Sequence, residues 1–341
     1  MSGNFILKLT FVRCIRYINH ATSSYCTQTV STSNLPATIP INQTKETGSP
    51  LDICKEDVSD YAPFLAPTYN IAAYVNKSPS LQQFIKLGVD LHRIEKKGLI
   101  ELLLKNDFER DVKKYIKFLY NVGVPPEEYG HFFTENLEIL KEDLDNLIIR
   151  TQYLLSKKFT NQDIVRIISK NPKWISHRAD DIDSRLGFFQ DNFHLTGDEV
   201  RYVVVKMPKL ITYRLRHVEE NHFTIKEEMG FKTNEIKKIL LGKPKIFVLN
   251  RNLLTQRLDF IINSMKIPHE VISLQPGVVT SRLERIKQRH NFLVLMNKAQ
   301  YDCNQPVYIS LHDLVRGNDA EFCEKVAGTS VLTYNAFLKT L

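Results

Sequence analysis

The chain is poor in glycine, with 13 in 341 residues, while Leu, Ile, Lys and Glu dominate its middle, a composition that favours helix over sheet. No apolar run approaches the roughly 18 residues that a membrane span needs, so no span is expected. The five cysteines, Cys14, Cys26, Cys54, Cys303 and Cys323, include no CxxC pair, which leaves neither a disulfide framework nor a zinc site. Also missing are a Gly-rich phosphate loop, a nucleophile motif, and a cluster of His, Cys or carboxylates at metal-ligand spacing. The sequence therefore points away from an enzyme and implies no cofactor and no metal.

A further absence is local: no acidic residue precedes Glu46, while Lys8, Arg13, Arg16 and Lys45 stand among many Ser and Thr. Phe5, Ile6, Leu9, Val12 and Ile15 can share one face of a short helix with the cations off it, as an amphipathic matrix-targeting presequence requires. Residues 1–45 are read as that transit peptide and the matrix as the destination. Residues 46–79, with Pro50, Pro63, Pro67 and Pro79, read as a linker without a core of its own. The folded body is expected to start near Ser80.

Acidic excess is absent from one stretch above all. Lys plus Arg against Asp plus Glu is 24 against 25 over residues 1–200, 19 against 8 over 201–300, and 3 against 5 over 301–341. The formal net charge of +8 thus comes from a single block. A focused positive excess points to a polyanionic partner meeting that block.

What the chain does have is an internal period. "ISKNPKWI" (168–175), "VVKMPKLI" (204–211), "LLGKPKIF" (240–247) and "SLQPGVV" (273–279) align their prolines, Pro172, Pro208, Pro244 and Pro276, at spacings of 36, 36 and 32. One step of 35 before Pro172 lies Leu137, in "FTENLEIL", without a proline. Gly88 and Gly123 are also 35 apart, and Gly230 repeats their context. Six units are expected from about 80 to 298, with 299–341 as a C-terminal cap.

Within a unit, Thr160 with Asp163 and Thr196 with Glu199 have capping-box spacing at the start of a helix. The proline ends that helix, since it has no N–H to donate and clashes with the preceding turn. An apolar pair follows (Trp174 and Ile175, Leu210 and Ile211, Ile246 and Phe247), then a longer helix such as 181–193, with Ile182, Leu186 and Phe189 on one face. "RYVVVK" (201–206) has strand-forming residues but occupies the capped-helix slot, and the period overrides its β propensity. The fold class is all-α: a solenoid of stacked units, none able to bury its apolar face alone. Trp174 and His290 are expected in the packed interior.

Equivalent positions in a solenoid line up along an edge, which gives the cations a pattern. Lys173, Lys209 and Lys245 follow the prolines by one residue; Arg178, Arg214 and Arg282 follow by six, where the Pro244 unit has Asn250 and then Arg251. Asp143 holds the corresponding place in the Leu137 unit. At about 100° per residue Arg282, Arg285 and Arg289 fall within an arc of about 60°, beside Leu283, Ile286 and Leu293. All nine cations are candidate phosphate contacts, arginine because its planar fork matches phosphate oxygens.

A proline between two helical pieces, followed by an apolar pair, resembles the mitochondrial transcription termination factor (mTERF) family rather than tetratricopeptide or pentatricopeptide arrays. The likeness runs over 80–341 and tightens at "KLGVDLHRIEK" (86–96), "SRLGFFQ" (184–190), "RIKQRHNFL" (285–293), "AQYD" (299–302), "YISLHDLV" (308–315) and "FLKTL" (337–341), strings similar to one animal branch of that family. The resemblance implies a curved, left-handed superhelix with a positive path for nucleic acid. It implies as partners the promoter region of mitochondrial double-stranded DNA, with restraint of transcription initiation, and large-subunit ribosomal RNA or ribosome assembly intermediates. A second class of function is a protein adaptor in ribosome assembly, with a protein partner and secondary nucleic-acid binding.

Overall fold

The computed structural model describes residues 71–75 and 78–341; the expected transit peptide and most of the expected linker lie outside the described residues. Among those described there is helix and no strand, and no helix is long and apolar enough to cross a membrane. Two compact units divide at Glu109 and Arg110. The first contains helices Ala72–Val75, Pro79–Lys86, Leu91–Lys96 and Ile100–Lys105. Ser78 and Asp90 cap two of these by accepting from Leu81 N–H and Arg93 N–H. Leu81, Phe84, Ile94 and Leu103 are buried, and Phe84 meets Phe108 edge to face at 5.4 Å.

The second unit is the repeat array. A repeat runs from a first helix through a short turn to a long helix: Asn161–Lys170, Pro172–Ser176, Ala179–Phe193; then Gly197–Lys206, Pro208–Thr212, Leu215–Phe223; then Thr233–Gly242, Pro244–Val248, Arg251–Asp259. First helices pack on first helices and turns on turns through these repeats and into the next. Both capping boxes form: Thr160 N–H donates to Asp163 at 2.9 Å and Thr196 N–H to Glu199 at 2.7 Å. The residue before each proline leaves the helical region, with φ −142° at Asn171, −144° at Met207 and −145° at Lys243, because proline Cδ excludes αR there. Trp174, Ile175, Leu210, Ile211, Ile246 and Phe247 are buried beneath the turns.

Two turns form without a proline. Leu137–Lys141 breaks after Asn136, whose φ is −134° and whose side-chain amide donates to Pro172 O at 2.9 Å and Ser176 Oγ at 2.8 Å. Leu311–Val315 is the other. It begins 35 residues after Pro276 and packs on the Pro276–Thr280 turn, so the segment expected to be a cap contains a sixth turn of the series. The shortened repeat has a six-residue first helix, His269–Leu274. The turn Pro276–Thr280 that follows it lies so close to the end of Thr233–Gly242 that a Cβ on Gly242 would stand 2.7 Å from Pro276 Cγ.

Thirteen residues after each turn begins, a polar side chain from the long helix reaches the carbonyls at the end of the next turn. Arg150 donates to Ile175 O at 2.6 Å; Arg185 to Ile211 O and Tyr213 O at 2.7 and 2.6 Å; Asn221 to Phe247 O and Leu249 O at 3.0 and 2.8 Å; Arg257 to Val279 O at 3.1 Å; Arg289 to Leu314 O and Arg316 O at 3.1 and 2.8 Å. Tyr115, on the helix Lys113–Val122, with no turn thirteen residues before it, donates to Leu140 O and Glu142 O at 3.3 and 2.7 Å. A turn's last carbonyls have no intrahelical partner, and a guanidinium satisfies two at once. Arg185→Ala would strand the Ile211 and Tyr213 carbonyls and is expected to cost about 2–4 kcal/mol. Denaturant unfolding measures this, and a loss below about 0.5 kcal/mol would mean that solvent replaces the arginine freely.

Burial lowers the pKa of His177, His222 and His290 below the ordinary 6.5. His222 lies against Phe193 with centroids 4.6 Å apart, and His290 bonds Tyr301 through Nδ1 at 2.9 Å. All three are neutral in both folded and unfolded chains above that value. Below it the unfolded chain takes up protons that the folded chain resists, so stability is lost as pH falls. The urea midpoint is expected to drop between pH of about 7.5 and about 5.5; an unchanged midpoint would count against the buried neutral imidazoles.

Candidate nucleic-acid interface

The proline turn fixes where each cation points. Lys173, Lys209 and Lys245 stand on the exposed side of their turns, while the neighbouring prolines and apolar pairs face inward. Arg178, Arg214 and Arg282 each occupy the N-cap position of a long helix, Ala179–Phe193, Leu215–Phe223 and Leu283–Leu295, and all three are exposed.

None of these three long helices has a side-chain cap. The contrast within the array is consistent: Asp143 caps Leu144–Ser156 and Asn250 caps Arg251–Asp259 with their own side chains. Where the cap residue is arginine, the first N–H groups of the helix and the guanidinium both present positive charge to solvent. A helix start of that kind is stabilised by an anion, and a phosphate oxygen fits both donors. Arg178 has a weak counter-charge in Asp180 at 3.4 Å. Lys173, Lys209, Lys245, Arg214 and Arg282 make no ion pair with another described residue.

Several cations on the first helices are engaged instead. Arg166 donates to Val205 O, Arg201 to Lys157 O, Lys206 to Leu241 O and Lys237 to His194 O, each bridging to another repeat. These tie the stack together. Exposed cations without an ion pair recur at the turns and at the starts of the long helices, while Lys170 and Lys238 are exposed examples on the first helices.

The expected cluster on Leu283–Leu295 divides. Arg282 and Arg285 are exposed, Arg285 touching only Val315 O at 3.5 Å. Arg289 is corrected: it is 0% exposed. Besides the Leu314 and Arg316 carbonyls its guanidinium donates to Gly317 O at 3.2 Å, pairs with Asp319 at 2.8 Å and lies 4.6 Å from the Phe322 ring centre. It holds the last turn and offers nothing to a phosphate. An arc of about 60° on a helix does not distinguish a flank from a face packed beneath the following segment. Arg251 is also engaged, through Thr224 and Glu228. The inter-repeat arginines Arg150, Arg185, Arg257 and Arg289 share one spacing from the turn starts, a signal that the sequence carries.

The fold defines an all-α repeat protein in which exposed cations recur at equivalent positions of several repeats. The mTERF family model matches residues 75–323, and the chain belongs to that family. It is 43% identical over 275 residues to a Drosophila melanogaster protein, covering 80% of this chain and 78% of that one. It is 46% identical over 298 residues to a Rattus norvegicus protein (86% and 73%) and 45% identical over 298 to a Mus musculus protein (86% and 72%). All three relatives carry the description "Transcription termination factor 3, mitochondrial".

Removing Arg214 and Arg282 together is expected to leave stability within about 0.5 kcal/mol of the parent, since neither is packed or paired. Arg289→Ala is expected to lose about 3 kcal/mol or more through its stranded carbonyls and Asp319. Unfolding curves for the two variants would refute the division of roles if they coincide.

Proposed function

We propose that this chain is a mitochondrial nucleic-acid-binding regulator of gene expression, acting in the matrix. The observation that carries the reading is the coincidence of exposed arginine with an uncapped long-helix start at Arg178, Arg214 and Arg282. The basic block at 201–300 and the description shared by the three relatives support it. The finer reading is binding to the promoter region of mitochondrial DNA with restraint of initiation, and support of large ribosomal subunit biogenesis through its RNA. The role is that of a binding protein rather than an enzyme.

Lys173, Lys209, Lys245, Arg178, Arg214, Arg282 and Arg285 are the proposed phosphate contacts. Each neutralised phosphate releases counterion, so affinity should fall steeply with salt. Binding of the full chain to mitochondrial promoter duplex and to large-subunit ribosomal RNA would be followed by anisotropy across a salt series. Changing Arg178, Arg214 and Arg282 to alanine is expected to weaken binding and flatten the logarithmic salt slope by about 3. The preferred probe selects between promoter and ribosome. Weak binding to both, unaffected by the three changes, would overturn the reading in favour of a protein adaptor, whose complex would survive high salt.

A further inference from the structure

The cation series is interrupted at the Pro244 repeat, and the interruption has a specific structure. Asn250 stands where the Pro172, Pro208 and Pro276 repeats carry arginine, and its side chain accepts from Leu253 N–H at 3.3 Å, closing its own helix start. The adjacent Arg251 is turned back onto the preceding repeat. Its Nε donates to Thr224 Oγ1 at 2.9 Å, and its Nη2 donates to the Glu228 carboxylate. Thr224 is fully buried and so is a fixed acceptor. Glu228 ends the π-helical continuation Thr224–Glu228 of the long helix that begins at Arg214.

This helix also concentrates negative charge in the otherwise basic block. Four of the eight acidic residues of 201–300 are Glu219, Glu220, Glu227 and Glu228. Glu220 answers Arg216 at 3.1 Å and Glu227 answers Lys226 at 3.1 Å, both on the same helical stretch. Glu228 alone of these is paired across repeats, and with a cation one position from the phosphate ladder. The pair is open to solvent, the side chains being 45% and 33% exposed.

We propose that Glu228 is a built-in competitor for phosphate, holding Arg251 off the ladder in the free protein and releasing it when a nucleic-acid backbone arrives. The inference rests on the nucleic-acid reading above. An exposed ion pair contributes little, whereas a phosphate can engage the guanidinium through two parallel donors. Release exchanges the Thr224 hydrogen bond and the Glu228 pair for a phosphate contact and leaves the apolar packing intact, because Arg251 is exposed. Glu228 thereby limits affinity and leaves a gap between the Arg214 and Arg282 contacts when the latch is closed.

A double-mutant cycle on the full chain tests this, with a labelled mixed-sequence DNA duplex as the probe and urea unfolding to verify each fold. Glu228→Gln is expected to tighten binding about two- to fivefold and to steepen the logarithmic salt slope by about 1. In an Arg251→Ala background the same change should produce no gain. A gain of equal size without Arg251 would show that Glu228 acts only by its own repulsion and would overturn the latch. No gain in either background, with binding still sensitive to Arg214→Ala and Arg282→Ala, would also overturn it while leaving the nucleic-acid reading intact. Insensitivity to all of these changes would remove both.

Discussion

From the Leu137 turn onward every junction in this array depends on one contact: a polar side chain thirteen residues after the start of a turn, bonded to the carbonyls that end the next turn. The proline or its equivalent breaks the chain into short helical pieces, and each break leaves carbonyls unpaired near the repeat interface. Buried carbonyls without donors would make the stack unfavourable. The guanidinium solves this because it carries several donors in one plane and retains its charge. The carbonyl ends of a short helix are its negative end, so charge and hydrogen bonding agree. Where Asn221 replaces arginine, His217 adds a second contact to Leu249 O at 2.8 Å.

Such a design separates the arginines sharply. A buried guanidinium is unfavourable unless its surroundings answer its charge and donors, and Arg289 has carbonyls, Asp319 and the Phe322 ring around it. Its position is therefore set by the last turn. Arg282, seven residues earlier, has no such surroundings. Two arginines on one helix face can thus have unrelated roles, decided by whether another repeat covers them.

Much of the architecture was legible in the sequence. The proline spacing located the turns, the Thr160 and Thr196 boxes located helix starts, and the apolar pairs identified Trp174 and its equivalents as buried. Less legible were features where chemistry varies while geometry repeats. Leu137 and Leu311 begin turns that no proline marks, one of them held by Asn136. The left-handed residue after the long helix is Gly123 or Gly230 in some repeats but Lys158, His194 or Lys266 in others. Only the glycines announce that conformation, because the other residues adopt it at a steric cost and are not chosen for it. The thirteen-residue offset was hidden in the same way, since both arginine and asparagine supply the donor.

The two sets of cations also meet opposite local fields. Those thirteen residues into a repeat approach carbonyl oxygens, and the fold itself supplies their counter-charge. Those six residues in stand at the positive start of a long helix, where the backbone adds to their charge instead of cancelling it. Among the described residues Arg214 and Arg282 find no acid in reach. Their counter-charge must therefore come from solvent or from a ligand. A linear polyanion can supply it at several successive repeats with one molecule, whereas a small anion can answer only one at a time.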